Sequence, residues 1–252
     1  EIANKGENAF SFASDEVIFG DWDLLCKKYQ NCEYTSSNQL NEDRWGHLYQ
    51  GIRRSSIFID RVDDCAELSN SEREDMRAQA RFLRAYFYWM LIKQYGPVPI
   101  MPDKGQDISL EYKDLAVARN TYDECVDFIC QELDQAARVL PMTRNASRWG
   151  QATRGIALAT KAKTLLYAAS PLYNGNTDLS ALKDNEGRNL ISQEPSEEKW
   201  AKAAAAAKEV IDLGAYELLT VKADDTTIPI PSTVSTANVP YPKGSGGIDP
   251  LR

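Results

Sequence analysis

The chain has 252 residues, 43% of them hydrophobic and 10% aromatic, with a formal net charge of −8 and a pI near 4.9. That acidity argues against a nucleic-acid binder, whose affinity rests on Lys and Arg neutralising phosphates. No run is apolar and long enough to span a bilayer as a helix, which takes roughly 18 or more residues. The five cysteines, at 26, 32, 65, 125 and 130, do not form a zinc pattern.

Residues 1–20 mix Asn, Ser and Gly with scattered apolar positions and read as coil or a short helix lying on a core. Residues 20–41 read as a long loop in which Trp22, Tyr29 and Tyr34 stand among Asp, Asn, Gln and Ser without a period. Such a stretch offers aromatic faces for stacking and amides for hydroxyls, though the same aromatics could simply cover the core. From 42 to 64, Trp45, Leu48, Tyr49, Ile52, Ile59 and Val62 recur at helical spacing, with Asn41 as the expected cap. The single histidine, His47, falls on this helix.

A central helix is expected over 72–95, capped by Ser71 and Glu74. Its stripe of Met76, Ala80, Leu83, Phe87 and Leu91 is flanked by Phe82, Tyr86, Tyr88, Trp89, Met90 and Ile92. Apolar on most sides, it predicts a helix covered by others, with Arg81, Arg84 and Lys93 interrupting the run. Gly96 suits a C-cap, and Pro97, Pro99 and Pro102 predict a stiff extended exit.

The run Ala80–Arg81–Phe82–Leu83–Arg84–Ala85–Tyr86, followed by Gly96–Pro97–Val98–Pro99–Ile100, resembles the signature of the SusD/RagB family of surface glycan-binding lipoproteins. The resemblance extends over most of residues 15–218. It implies an all-α fold of tetratricopeptide-like helix pairs with long inserted loops. It also implies an oligosaccharide ligand, a SusC-type TonB-dependent transporter as partner, and a lipid anchor on the outer face of the outer membrane. The sequence opens at Glu1 without a charged-then-apolar segment, so the anchor rests on the resemblance alone.

Further along, Thr121 and Glu124 form a capping box for a helix over 121–139 that stops before Pro141. A loop with Arg144, Asn145, Arg148 and Trp149 leads to a helix over 153–170, expected to bury Ile156, Ala159, Ala162, Leu166 and Ala169. Pro171 and Asn174–Gly175 end it, and a polar loop runs to about 195. Ser196 caps a last helix over 197–213, whose Ala203–Ala207 run invites close helix packing. A weak repeat pairs 72–95 with 121–139 and 153–170 with 197–213. Shifted by 78 residues, it sets Val126 against Ala204 and Ile129 against Ala207. Residues 1–218 thus form one helical domain, and 219–252, rich in Pro, Ser and Gly, a segment leading to a second half implied by the resemblance.

Nothing assembles a catalytic centre. One histidine comes with no nucleophile elbow, there is no glycine-rich phosphate loop, and acid pairs such as Asp63–Asp64 and Glu197–Glu198 are expected in so acidic a chain. Neither metal nor cofactor is implied. An odd cysteine count excludes complete intrachain pairing, leaving buried small apolar thiols or a Cys26–Cys32 bridge. The expected function is therefore non-catalytic binding of glycans, with Trp22, Tyr34, Trp149, Tyr173 and Asn174 as ligand contacts chosen from loop placement and composition. The alternative is a tetratricopeptide-like scaffold that binds a protein or peptide and no sugar.

Overall fold

A computed structural model describes residues 31, 33, 44–104, 109 and 111–217, the side chains of Tyr112 and Asp114 excepted. The chain divides into two units, Glu1–Val210 and Ile211–Arg252, and the helix packing that follows lies within the first.

Among the described residues the structure is all-α, with five long helices: α1 (Trp45–Arg61), α2 (Asn70–Tyr95), α3 (Tyr122–Val139), α4 (Arg154–Ala169) and α5 (Glu197–Asp212). Single turns at Val62–Asp64, Tyr112–Leu115, Ala146–Arg148 and Thr177–Leu179 punctuate the connections. α2 lies between α1 and α3, and α3 packs in turn on α4. Tyr95 at the end of α2 meets the start of α1, and Tyr122 at the start of α3 stacks on Tyr173 beyond the end of α4. Successive helices therefore run antiparallel, as tetratricopeptide-like pairs do.

α2 starts two residues earlier than expected. Two overlapping Ser-x-x-Glu patterns compete there, and Ser69 with Glu72 forms the box instead of Ser71 with Glu74. The Thr121–Glu124 box of α3 is as expected. α1 has no cap of its own at Arg44, and Asn41 lies outside the described residues. Instead the Tyr95 hydroxyl accepts from the Arg44 and Trp45 N–H groups (2.9 and 3.1 Å), so the end of α2 closes the start of α1.

The core of α2 is Tyr88, Trp89, Leu91 and Ile92. Leu83, expected inside, is 44% exposed, and Arg84, expected to interrupt the apolar surface, is buried at 2%. Arg84 bonds Glu132 of α3 (Nε–Oε2, 2.9 Å), Ser56 of α1 (3.1 Å) and Asp103 (2.6 Å), and stands over the Phe128 ring at 5.6 Å. Arg81 reaches the other oxygen of Glu132 at 2.7 Å. The two arginines of the sequence signature are thus an internal ionic clamp joining helix to helix.

α4 turns a different face inward than its periodicity suggested. Ile156, Ala159 and Leu166 are exposed; Ala169 is buried as expected, but its buried companions are Gly155, Ala157, Leu158, Thr164 and Ala168. Small residues let α3 approach closely, and the Thr164 hydroxyl is satisfied by the Thr160 carbonyl (2.9 Å), so the less hydrophobic face packs better. α5 buries Ala203 and Ala206 and exposes Ala204 and Ala207, one position out of the register the repeat implied. Of the cysteines, Cys125 is buried, Cys130 is half-buried, Cys65 is exposed, and Cys26 and Cys32 lie outside the described residues. Burial pushes the Cys125 thiol up to about 11, so it stays protonated and donates to the Val98 carbonyl (3.3 Å).

Gly96 ends α2 at φ 69. The proline strap beyond it is held at several of its remaining backbone groups. The Tyr49 hydroxyl donates to Pro99 O (2.8 Å), Ile100 N donates to Asn120 Oδ1 (2.9 Å), and Met101 N donates to the Tyr88 hydroxyl (2.8 Å). Prolines cannot donate, so tethering the groups that can is what keeps the strap against the helices.

Candidate ligand-binding surface

The loop between α3 and α4 is built around Arg144. Its guanidinium grips the Asp75 carboxylate of α2 through two bonds (2.8 and 2.7 Å) and donates to the Ala152 carbonyl (3.0 Å). Gln79 Nε2 adds a bond to Asp75 Oδ2 (2.8 Å), and Arg148 stands 3.7 Å from the same oxygen. These partners hold the Asp75 carboxyl below its usual range, the Arg144 hydrogen bonds being the largest cause, against an opposing effect of burial. Fork-to-carboxylate pairing fixes orientation as well as position. The loop is therefore a structured projection with a single turn at Ala146–Arg148, closed by Gly150 at φ 89.

Trp149 sits at its tip and is 88% exposed. On each side of it in sequence, Arg148 and Gln151 line a groove of about 430 Å³ shared with α1 and α2. Phe58, Met76, Ala80 and Leu83 supply its apolar lining, and Arg54, Ser55 and Gln79 the remaining polar groups. The Gln151 Oε1 is buried and makes no hydrogen bond among the described residues. Such a volume falls in the range of small-ligand sites, and an exposed indole beside guanidinium and amide groups suits a ring carrying hydroxyls.

The other expected contacts are placed differently. Tyr173 is 8% exposed, its ring stacked on Tyr122 at 3.7 Å and 8°. Asn174, equally buried, donates to Ala169 O (3.2 Å) and Ser196 O (3.1 Å) and accepts from Ser196 N (2.8 Å). It ties the end of α4 to the start of α5, closing the base of the 170–196 loop. Both side chains are occupied by protein groups, which gives them structural roles. Trp22 and Tyr34 lie outside the described residues. Sequence reasoning missed the Arg144–Asp75 anchor and the groove, because the partners lie 69 residues apart. One member of each acid pair noted in the sequence is drawn into an ion pair, Asp63 with Arg77 and Glu198 with Lys202. Among the described residues no group of three or more His, Cys, Asp or Glu is placed to hold a metal ion.

The SusD-like family model described as "Starch-binding associating with outer membrane" matches residues 2–166. The chain belongs to the SusD-like family. It is 24% identical over 151 residues to the Starch-binding protein SusD of Bacteroides thetaiotaomicron, covering 60% of this chain and 25% of that one. The solved structure named BT4246 superposes with a TM-score of 0.70 at 34% identity, over 76% of this chain and 33% of its own. A SusD-like protein from Bacteroides fragilis superposes at 0.57 and 25% identity, over 76% and 30%. The chain thus matches a quarter to a third of each relative's length. The run from Ala80 to Ile100 falls on α2 and its proline strap, the elements that brace the helices, while the family match over residues 2–166 takes in the Trp149 tip as well.

Proposed function

We propose that this chain is part of a non-catalytic surface protein that binds oligosaccharides and delivers them to a SusC-type TonB-dependent transporter, held to the outer face of the outer membrane by a lipid anchor. Family membership supports the class of activity. The observation that carries the site is Trp149, an exposed indole on a loop pinned to α2 by the Arg144–Asp75 pair, beside a groove of ligand size. Rigid support for an exposed aromatic lowers the ordering cost of binding. Trp149 is the proposed stacking platform, and Trp22 and Tyr34 are proposed as further contacts. A tetratricopeptide-like platform that displays recognition groups on inserted loops needs no bond-breaking chemistry.

Native affinity electrophoresis of the protein through gels carrying a panel of soluble polysaccharides tests this. Retardation by at least one polysaccharide is the expected result. Free migration in all of them, together with capture of a peptide on the helical surface, would favour the scaffold reading instead.

A further inference from the structure

We propose that the groove between α1, α2 and the Trp149 loop takes an anionic saccharide, one bearing a carboxylate or sulfate group. This rests on the glycan-binding reading and adds the chemical class of the ligand. In a chain of net charge −8, lining groups chosen by composition alone would favour carboxylates. Among the described residues the groove is instead lined by Arg54 and Arg148 and by no Asp or Glu.

Of these cations Arg54 is unmatched among the described residues, and Arg148 is held only loosely. Among the described residues the Arg54 side chain has no ion pair or hydrogen bond. Arg148 meets Asp75 only at 3.7 Å, and that carboxylate is held at shorter range by Arg144 and Gln79. Glu72, whose charge also acts on Arg148, is engaged by the Ser69 N–H (2.9 Å) and hydroxyl (2.6 Å).

Other depressions of the surface differ. Between α3, α4 and α5, Lys199 pairs with Asp123 (2.6 Å) and Lys202 with Glu198 (2.9 Å). Between α2 and α3, Arg77 and Arg81 are taken by Asp63 and Glu132, and the lining that holds Arg138 also holds a carboxylate, Glu74. An unmatched guanidinium favours a planar or multi-oxygen anion that accepts two bonds. Phe58 and Leu83, 41% and 44% exposed, add an apolar surface for the C–H face of a sugar ring. Anion and ring together describe an acidic sugar better than either a neutral glycan or a bare acidic chain.

Calorimetric titration of the full chain with an oligogalacturonate, a carrageenan oligosaccharide, maltoheptaose and poly-L-glutamate tests the proposal. The first two separate carboxylate from sulfate, and the last removes the ring. One anionic oligosaccharide should bind and should weaken as NaCl rises from 50 to 300 mM. Its affinity should fall about tenfold or more in Arg54→Ala/Arg148→Ala, with melting unchanged. Three results would overturn the inference while leaving glycan binding intact: maltoheptaose binding alone, an anionic sugar bound equally by the double variant, or polyglutamate binding as tightly as the sugar. Binding of none of the three sugars, with every polysaccharide of the electrophoresis panel also ignored, overturns the glycan reading itself.

Discussion

The residue with most at stake is Glu132. It lies in the apolar stripe of α3, beside Ile129 and Leu133, and receives both Arg81 and the buried Arg84. Burying charge is costly unless it is paired and hydrogen-bonded, and here each partner is both. Replacing Glu132 by Ala removes the partner of a buried guanidinium, and we expect it to destabilise the fold by about 3–5 kcal/mol. Urea unfolding of wild type and variant would measure this, and a loss under about 1 kcal/mol would mean that water or Asp103 compensates. This clamp was only half legible in the sequence. Two arginines in an apolar helix were visible, but an arginine on a helix ordinarily reads as solvent-facing. The signal that finds it is an acid inside the neighbouring helix's apolar stripe, and that link becomes visible only once α2 and α3 are known to be neighbours.

At the scale of elements, the connections are as specific as the helices. Gly175 occupies φ 81, and a Cβ there would come within 2.6 Å of the Pro195 nitrogen. Gly175→Ala combines backbone strain with a collision against backbone, so a loss of at least about 1 kcal/mol is expected in thermal or urea unfolding. The α3–α4 loop should respond to acid. The Asp75 carboxyl titrates below its ordinary value in the folded state, so its contribution is complete above the usual aspartate pKa of about 3.9 and is lost as pH falls below it. Melting curves from pH 6 down to 3 should show a larger drop for wild type than for Asp75→Asn; parallel curves would show that the anchor contributes little.

The helices themselves were readable because capping boxes and 3.6-residue periodicity are local. Which face of α4 turns inward was not. Its Ile156 and Leu166 outweigh Ala157 and Ala168 in hydrophobicity, yet close helix approach favours the small side chains. The loops were legible as loops, but their anchors, Arg144 on Asp75 and Asn174 on Ser196, join residues far apart in sequence.

For the whole molecule, the account separates support from recognition. The Arg81–Glu132–Arg84 clamp, the tyrosine-tethered strap and the Asn174 tie make a rigid set of helices, and the run from Ala80 to Ile100 lies in that support. Recognition is proposed for the Trp149 tip, beyond the run from Ala80 to Ile100. The class was therefore accessible from the sequence through the run from Ala80 to Ile100. The proposed site was not, since exposed Trp149 and buried Tyr173 looked alike as loop aromatics.

The division of labour is tested most directly by measuring, for wild type and Trp149→Ala, the affinity for a retained polysaccharide together with the thermal midpoint. The account predicts a loss of about 1 kcal/mol or more in binding, roughly five- to tenfold, with the midpoint unchanged. Undiminished affinity in a fully folded Trp149→Ala protein would contradict it.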